Sequence, residues 1–110
     1  MTGQELINYD SCVTYNRMIT VTDDWCPCYP GNQVELAVSM FYFTQCSWCD
    51  EHYLLKVSAW GMDDRGVEIE RTTADHQEAI RIFNELFEIY KSVPDGVDLH
   101  WFCSNGFSPA

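Results

Sequence analysis

The fold of this chain is decided by one segment near its middle, Val34-Glu35-Leu36-Ala37-Val38-Ser39-Met40-Phe41-Tyr42-Phe43-Thr44. Successive side chains of a β-strand point to opposite faces, so residues two apart share a face. One face of this segment therefore collects Val34, Leu36, Val38, Met40 and Tyr42, and the other collects Glu35, Ala37, Ser39, Phe41 and Phe43. A period of two over this length predicts a long strand that buries the first of these faces.

Two later segments continue the alternation. Residues 53–60 repeat the pattern, and a turn is predicted at residues 61–66 because glycines and aspartates cluster there. The next run, residues 67–71, directs its aliphatic side chains inward and its glutamates outward (Val67 and Ile69; Glu68 and Glu70). Short connections between such runs are typical of an antiparallel meander.

A helix is predicted over residues 75–91. Asp75 and Glu78 suit the N-cap and N3 positions, where their carboxylates satisfy free N–H groups. Apolar residues recur at spacings of three and four and form one stripe: Ala79, Ile80, Phe83, Leu86, Phe87 and Tyr90. This stripe must be buried on the sheet, since no other apolar face of that size is available.

These elements predict one α+β domain over residues 1–110. Its sheet has four or five mainly antiparallel strands, and the helix packs on one face. The predicted parts are an N-terminal segment (1–17) with a helical turn at 2–9, a sheet (18–72) that begins with a short strand at 18–22, the helix, and a last strand (97–103).

The charge balance argues against two classes of binding partner. Seventeen acidic and six basic residues give a net charge of −11. Direct binding to nucleic acid or anionic lipid is not expected, because phosphate binding relies on Lys and Arg. The chain has no apolar run of the roughly 18 residues that a membrane span requires. Its N-terminus lacks the features of a secretory signal, so we expect a cytoplasmic protein.

Six cysteines raise the question of a metal. Cys46, Cys49 and His52 have C-x-x-C-x-x-H spacing, and Cys12 falls at the same end of the predicted sheet. Thiolate and imidazole are the ligands that zinc prefers, so these four residues are the candidate zinc site. Cys26 and Cys28 fall at the opposite end. Reduced thiols without a metal are the plain alternative, and no other cofactor is expected.

Catalytic chemistry has little support in the sequence. The pair Cys46 and Cys49 resembles a thiol redox motif, but Asp50 and Glu51 follow at once and disfavour a thiolate. The three histidines lie in different predicted elements, and no nucleophile motif or phosphate-binding glycine loop accompanies them. No catalytic residue is assigned, and we expect a protein that is not an enzyme.

A binding surface is the better hypothesis. Glu35, Glu68 and Glu70 share the outward sheet face, and Asp63 and Asp64 occupy the adjacent turn; Glu78, Glu85 and Glu88 repeat at helical spacing. Ordered carboxylates imitate a phosphate backbone and steer association with a basic partner. Phe43 and Trp60 are the candidate apolar anchors, because aromatic residues dominate binding hot spots.

The size, the acidity and the order of elements resemble a known class of small proteins. The run Val57-Ser58-Ala59-Trp60-Gly61-Met62-Asp63-Asp64-Arg65-Gly66-Val67-Glu68-Ile69-Glu70, followed by the helix, is similar to small phage and mobile-element proteins of the anti-CRISPR type. The resemblance extends over about residues 34–103. It implies an inhibitor that occupies the basic nucleic-acid channel of a CRISPR effector or another host nuclease. A zinc-stabilised module and a thiol redox protein are the alternatives.

Overall fold

A computed structural model describes residues 12–22, 33–44, 47, 50–61 and 66–109. The elements within these ranges are β1 (Cys12–Thr20), β2 (Gln33–Phe43), β3 (His52–Trp60), β4 (Gly66–Thr73), α1 (His76–Ser92), α2 (Leu99–Ser104) and β5 (Ser108–Pro109). The five strands lie side by side in chain order, and every neighbouring pair is antiparallel. The predicted α+β class, with a meander sheet and one long helix on one face, is confirmed.

The strand register builds the core. Val38 lies opposite Val57, which lies opposite Ile69 on the next strand, so one apolar row crosses three strands. The even-numbered side chains from Val34 to Met40 are completely buried on this face. A period of two was therefore sufficient to identify the buried face of β2.

The long helix begins where the sequence predicts. The Asp75 carboxylate accepts hydrogen bonds from the backbone N–H groups of Gln77 and Glu78, which identifies it as the N-cap. The apolar stripe packs on the sheet as expected, with two differences. Ile82 is also buried, and Phe87 is only partly buried.

The first strand corrects the predicted boundary. β1 begins at Cys12, whereas residues 1–17 were assigned to an N-terminal segment and 18–22 to the strand. The reason is Arg17, a cation on the inner face of β1 that interrupts an otherwise apolar pattern. Its guanidinium donates to the carbonyl oxygens of Tyr90 and Val93 at 3.1 and 2.9 Å, at the end of α1. This long-range contact replaces the apolar side chain that the pattern required.

The predicted last strand, 97–103, is wrong. Val97 makes a single parallel bridge with Val21, and the chain then turns into the short helix α2. The Asp98 carboxylate caps this helix by accepting from the Trp101 N–H at 2.7 Å. Capping of the first helical turn, together with burial of Phe102, decides the structure in favour of a helix. The last strand is instead the two-residue β5.

Other predictions fall outside the described ranges. These are the helical turn at 2–9 and most of the turn at 61–66, together with the side chains at seven positions: 12, 26, 28, 46, 49, 63 and 64. Across the ranges that are described, no helix is long and apolar enough to cross a membrane.

Candidate functional site

The candidate site is the sheet face that points away from α1, which we call the outer face. Four strands contribute one row to it: Met18 lies opposite Glu35, Glu35 opposite Trp60, and Trp60 opposite Gly66. Met18 is 42% exposed, which is unusual for so large an apolar side chain. The outer face therefore presents apolar and acidic groups side by side.

Trp60 is held in place by a glycine. A Cβ atom on Gly66 would lie only 2.5 Å from Cδ2 of the indole, so the ring packs against the bare backbone of the neighbouring strand. An aromatic residue opposite a strand glycine fills the space that the missing side chain leaves. The Trp60 ring is half-buried and forms a flat apolar platform beside the carboxylates.

Three carboxylates share the outer face with this platform. Glu68 and Glu70 follow Gly66 on β4 and share the outer face, which separates them by about 6.6–6.8 Å along the strand. Glu35 lies on β2, roughly 10 Å across the sheet from β4. Among the described residues, no Lys, Arg or His side chain comes within ion-pair distance of these three. Within the described ranges, these three carboxylates therefore have no ion-pair partner.

One cation lies nearby on the same face. Lys56 is directly opposite Glu70 in the register, and its ammonium lies 5.9 Å from the centre of the Phe41 ring. This contact is a cation–π interaction rather than an ion pair. The lysine reduces the local negative potential at Glu70 and leaves the Glu35 end of the face more acidic.

The two predicted anchors do not form one patch. Phe43 lies opposite His52, and Trp60 is eight residues further along the same strand, which corresponds to roughly 26 Å. Phe43 is 43% exposed and stacks on the His52 ring with a centroid separation of 5.0 Å. Glu35, Glu68 and Trp60 thus belong together, whereas Phe43 belongs to the opposite end of the sheet.

The acidic residues of the helix are compensated. Arg81 makes ion pairs with Glu85 at 2.7 Å and with Glu78 at 3.6 Å, and Lys91 pairs with Glu88 at 2.8 Å. The row of helical carboxylates that the sequence suggested is therefore interrupted by cations. The outer sheet face, rather than the helix, is the surface with excess negative charge.

Other acidic residues serve the fold. Asp75 and Asp98 cap the two helices, and the Asp95 carboxylate accepts from the Thr20 N–H at 3.1 Å. These groups are occupied by backbone donors. They are not available as part of an acidic recognition surface.

A cluster of rings closes the end of the sheet where β2 leads to β3. The rings of Tyr42 and Tyr53 are 4.9 Å apart, and the Tyr53 hydroxyl lies 2.8 Å from Nδ1 of His76. A hydrogen bond with the Glu51 carboxylate, aided by desolvation and by that negative charge, raises the pKa of Tyr42 to about 12. Burial raises the pKa of Tyr53, and the charge of Glu51 adds to this effect.

The candidate zinc residues are described only in part. His52 Nδ1 lies 2.9 Å from the backbone oxygen of Asp50, so this nitrogen is the donor and Nε2 is left as a potential ligand atom. The backbone of Cys12 lies opposite Phe41, at the same end of the sheet as His52. Cys46 and Cys49 lie outside the described residues. Within the described ranges, no three His, Cys, Asp or Glu side chains are grouped as metal ligands.

The remaining reactive side chains are scattered. His100 Nε2 lies 3.4 Å from the Ser104 hydroxyl on the exposed side of α2, a long contact between residues one helical turn apart. Cys103 is an exposed free thiol on the same short helix. These groups belong to a different element from His52 and His76, in agreement with the expectation that the histidines do not form one site.

Sequence reasoning missed one feature, the edge of β4 that faces away from β3. β5 pairs with this edge only at Val67 and Glu68. Towards Thr73, the antiparallel ladder would continue from Ser108 back through Phe107 and Gly106, and it ends because the turn at Gly106 leads back into α2. The open part of this edge therefore depends on the fold of the C-terminal segment, which the pattern of residues 97–103 did not predict.

Comparison of the chain with protein-family models, with curated proteins and with solved structures finds no match.

Proposed function

We propose that this chain is a small, non-enzymatic inhibitor or adaptor that docks its outer face on a basic protein surface. In its most specific form, the partner is a host nuclease of the CRISPR type, and the acidic face occupies the channel that normally holds nucleic acid. The protein then acts in the cytoplasm of the cell that makes the nuclease. Recognition combines the carboxylates of Glu35, Glu68 and Glu70 with the platform of Trp60.

The observation that carries this proposal is that the acidic residues differ in what their carboxylates contact. Carboxylates on the helix are paired with cations, and those at helix ends are occupied by backbone N–H groups. The three on the outer face lack such partners among the described residues and are held on a rigid sheet. Carboxylates without an ion-pair partner among the described residues, on the same face as an aromatic platform, are a combination typical of binding hot spots on charged surfaces.

The net charge of −11 supports a basic partner over nucleic acid itself. A molecule with this charge is repelled by phosphates and attracted to the Lys- and Arg-lined grooves that bind them. Steering by such a field also accelerates association, and the effect decreases with ionic strength. A protein partner with a nucleic-acid groove therefore fits the charge better than any nucleic acid does.

The proposal is tested by mapping which face binds a polycation. Oligolysine is titrated into the isotopically labelled protein at low salt, and the amide shifts are followed by NMR. We expect the largest changes at Glu35, Glu68 and Glu70, and small changes at Glu85 and Glu88. Larger changes along α1, or changes spread evenly over the surface, would contradict the proposal.

A zinc-stabilised module is the second candidate, because one specific observation favours it. Ligating histidines commonly donate their second ring N–H to a backbone carbonyl, and Nδ1 of His52 is directed at the Asp50 oxygen in this way. In this hypothesis Cys12, Cys46 and Cys49 provide the thiolates. Metal analysis of the purified protein tests it: roughly one zinc per chain, lost in a His52→Ala variant, is expected for a four-ligand site.

A further inference from the structure

The exposed edge of β4 is a second binding feature, distinct from the outer face. β5 pairs with β4 only at Val67 and Glu68, although β4 continues to Thr73. Glu70, Arg71 and Thr72 are all exposed, and no strand among the described residues pairs with this half of β4. An edge strand with unpaired backbone groups is a template for the addition of another strand.

The backbone at this edge is accessible. The Arg71 guanidinium donates to the carbonyl oxygen of Glu70 at 2.8 Å, a contact that reaches the edge from solvent. In an antiparallel strand, the N–H and C=O groups of alternate residues point to the same side. Glu70 and Thr72 therefore direct their backbone N–H and C=O groups to the edge. The Arg71 side chain covers one of these groups, the carbonyl oxygen of Glu70. A flexible arginine is easily displaced by an incoming strand.

Two clefts flank the edge. One of about 400 Å³ lies between β4 and α1, and one of about 290 Å³ lies beside β5. They share the lining residues Ile69, Arg71 and Gly106, so they lie next to each other along the strand, and we call the two together the groove. Gly106 has a positive φ of 93° and ends α2 with a tight turn, which closes the groove where β5 begins. The groove lies at the edge of the sheet where a further strand would be added to β4.

The two sides of this groove differ in chemistry. On the α1 side, the cleft is lined by the nearly buried side chains of Ile69, Ile82 and Leu86 and by charged groups of α1, of which Glu85 is paired with Arg81. On the outer side, the groove is bordered by the carboxylates of Glu68 and Glu70. An added strand would therefore meet a mixed surface of aliphatic and ion-paired side chains with one set of alternate side chains, and an acidic surface with the other.

We propose that an extended segment of the basic partner adds to β4 as a sixth strand along residues 69–73. Its backbone pairs with Glu70 and Thr72, its apolar side chains enter the groove beside α1, and its Lys or Arg side chains lie beside Glu70. The inference deepens the proposed function, on which it rests, by naming the segment that the partner presents.

A second copy of this chain is a poorer occupant. Two molecules that each carry a net charge of −11 repel one another. Edge-to-edge pairing would also bring the Glu68 and Glu70 carboxylates of both copies to the same side of the joined sheet. Charge complementarity thus favours a basic segment.

The decisive experiment uses short synthetic peptides in which lysine and valine alternate. Affinity for the intact protein is measured by fluorescence anisotropy for the parent peptide and for two N-methylated forms, one methylated on the lysines and one on the valines. Only one set of N–H groups faces β4, so we expect one N-methylated form to bind at least about ten-fold more weakly and the other to bind like the parent.

Substitutions in the protein provide a matched pair. Thr72→Pro removes an edge N–H, and Thr72→Val retains it. We expect the proline variant to lose about ten-fold in affinity and the valine variant to bind normally, provided that circular dichroism shows both to be folded. The peptide comparison stands without these variants if Thr72→Pro does not fold. A peptide that alternates glutamate and valine is expected to bind far more weakly.

The outcomes separate the two proposals. Equal binding of both N-methylated peptides, with oligolysine still perturbing the outer face, overturns strand addition and leaves the proposed function in place. Equal affinity for the glutamate peptide overturns the assignment of a basic segment. If oligolysine leaves the outer face unperturbed while strand addition is observed, the proposed function fails and β4 remains a peptide-binding edge.

Discussion

The indole of Trp60 packs against Gly66, its partner across the β3–β4 ladder, at a distance that leaves no room for a methyl group. This relationship joins the fold to the candidate site. The glycine sets the position of the ring, and the ring provides the apolar platform beside Glu35 and Glu68.

Gly66→Ala tests this relationship. The added Cβ atom would approach Cδ2 of Trp60 to 2.5 Å, so the indole must move. We expect a loss of about 1–2 kcal/mol in the free energy of unfolding, measured by urea denaturation, and a change in tryptophan fluorescence. In a Trp60→Ala background, Gly66→Ala should leave the free energy of unfolding unchanged or raise it slightly, because alanine has fewer conformations than glycine in the unfolded chain. Equal costs in both backgrounds would show that the ring is not the obstacle.

Arg17 provides a second prediction, about stability. Its guanidinium donates to two carbonyl oxygens at the end of α1 and lies 5.4 Å from the Tyr90 ring. Arg17→Met keeps the aliphatic stem and removes both donors, so we expect a loss of about 1.5–3 kcal/mol in urea denaturation. Arg81→Met, which removes only exposed ion pairs, should cost less than about 0.5 kcal/mol. Similar losses in the free energy of unfolding for the two variants would mean that the hydrogen bonds from Arg17 to the end of α1 contribute little to stability.

The arginine also shows how far the sequence could predict the fold. Alternation in β2, β3 and β4, and the stripe and N-cap of α1, are local patterns, and each element was found within two residues of its predicted bounds, with Ile82 and Phe87 as the differences in the stripe. Arg17 lies 73 residues before the first carbonyl that it binds, so its place on the buried face has no local signal. For this reason the start of β1 was assigned six residues too late.

The prediction for the C-terminal part was wrong for a different reason. Residues 97–103 alternate well enough for a short strand, but the Asp98 carboxylate satisfies the N–H of Trp101 and starts a helix. A short segment satisfies both patterns, and tertiary packing of Phe102 selects between them. The same limit applies to the site: its acidic residues were identified from alternation, but their division into paired and unpaired groups depends on side-chain contacts.

A third prediction concerns alkaline pH. The hydrogen bond with Glu51 raises the pKa of Tyr42 to about 12, above its value of 10.0 in an unfolded chain. Because the folded state favours the protonated phenol, this contribution to stability is complete below pH 10 and is lost as the pH rises towards 12. Glu51→Gln should lower the pKa of Tyr42 in a spectrophotometric titration of tyrosinate, and the neighbouring Asp50→Asn should leave it unchanged. An unaltered titration in the Glu51 variant would contradict the assignment.

The last prediction concerns inhibition and uses two variants that change the net charge equally. Glu68→Lys with Glu70→Lys reverses the outer face, and Glu85→Lys with Glu88→Lys reverses exposed positions of α1. DNA binding by a panel of guide-RNA-loaded CRISPR nucleases is measured with each protein. We expect the original chain and the helix variant to displace DNA from a susceptible nuclease, and the sheet variant to lose at least about ten-fold in potency, since close charge pairs contribute about 1.5 kcal/mol or more.

Salt provides the internal check on that assay. The Debye length falls from about 10 Å at 0.1 M to about 3 Å at 1 M, so an inhibitor steered by exposed carboxylates must weaken over this range. Net charge alone cannot produce a difference between the two variants, because both carry the same total. If the sheet variant displaces DNA as well as the helix variant does, recognition does not use the outer face. The ordered carboxylates of β4 would then be a solvated surface, and the search for the binding site would move to the opposite end of the sheet, where Phe43 stacks on His52.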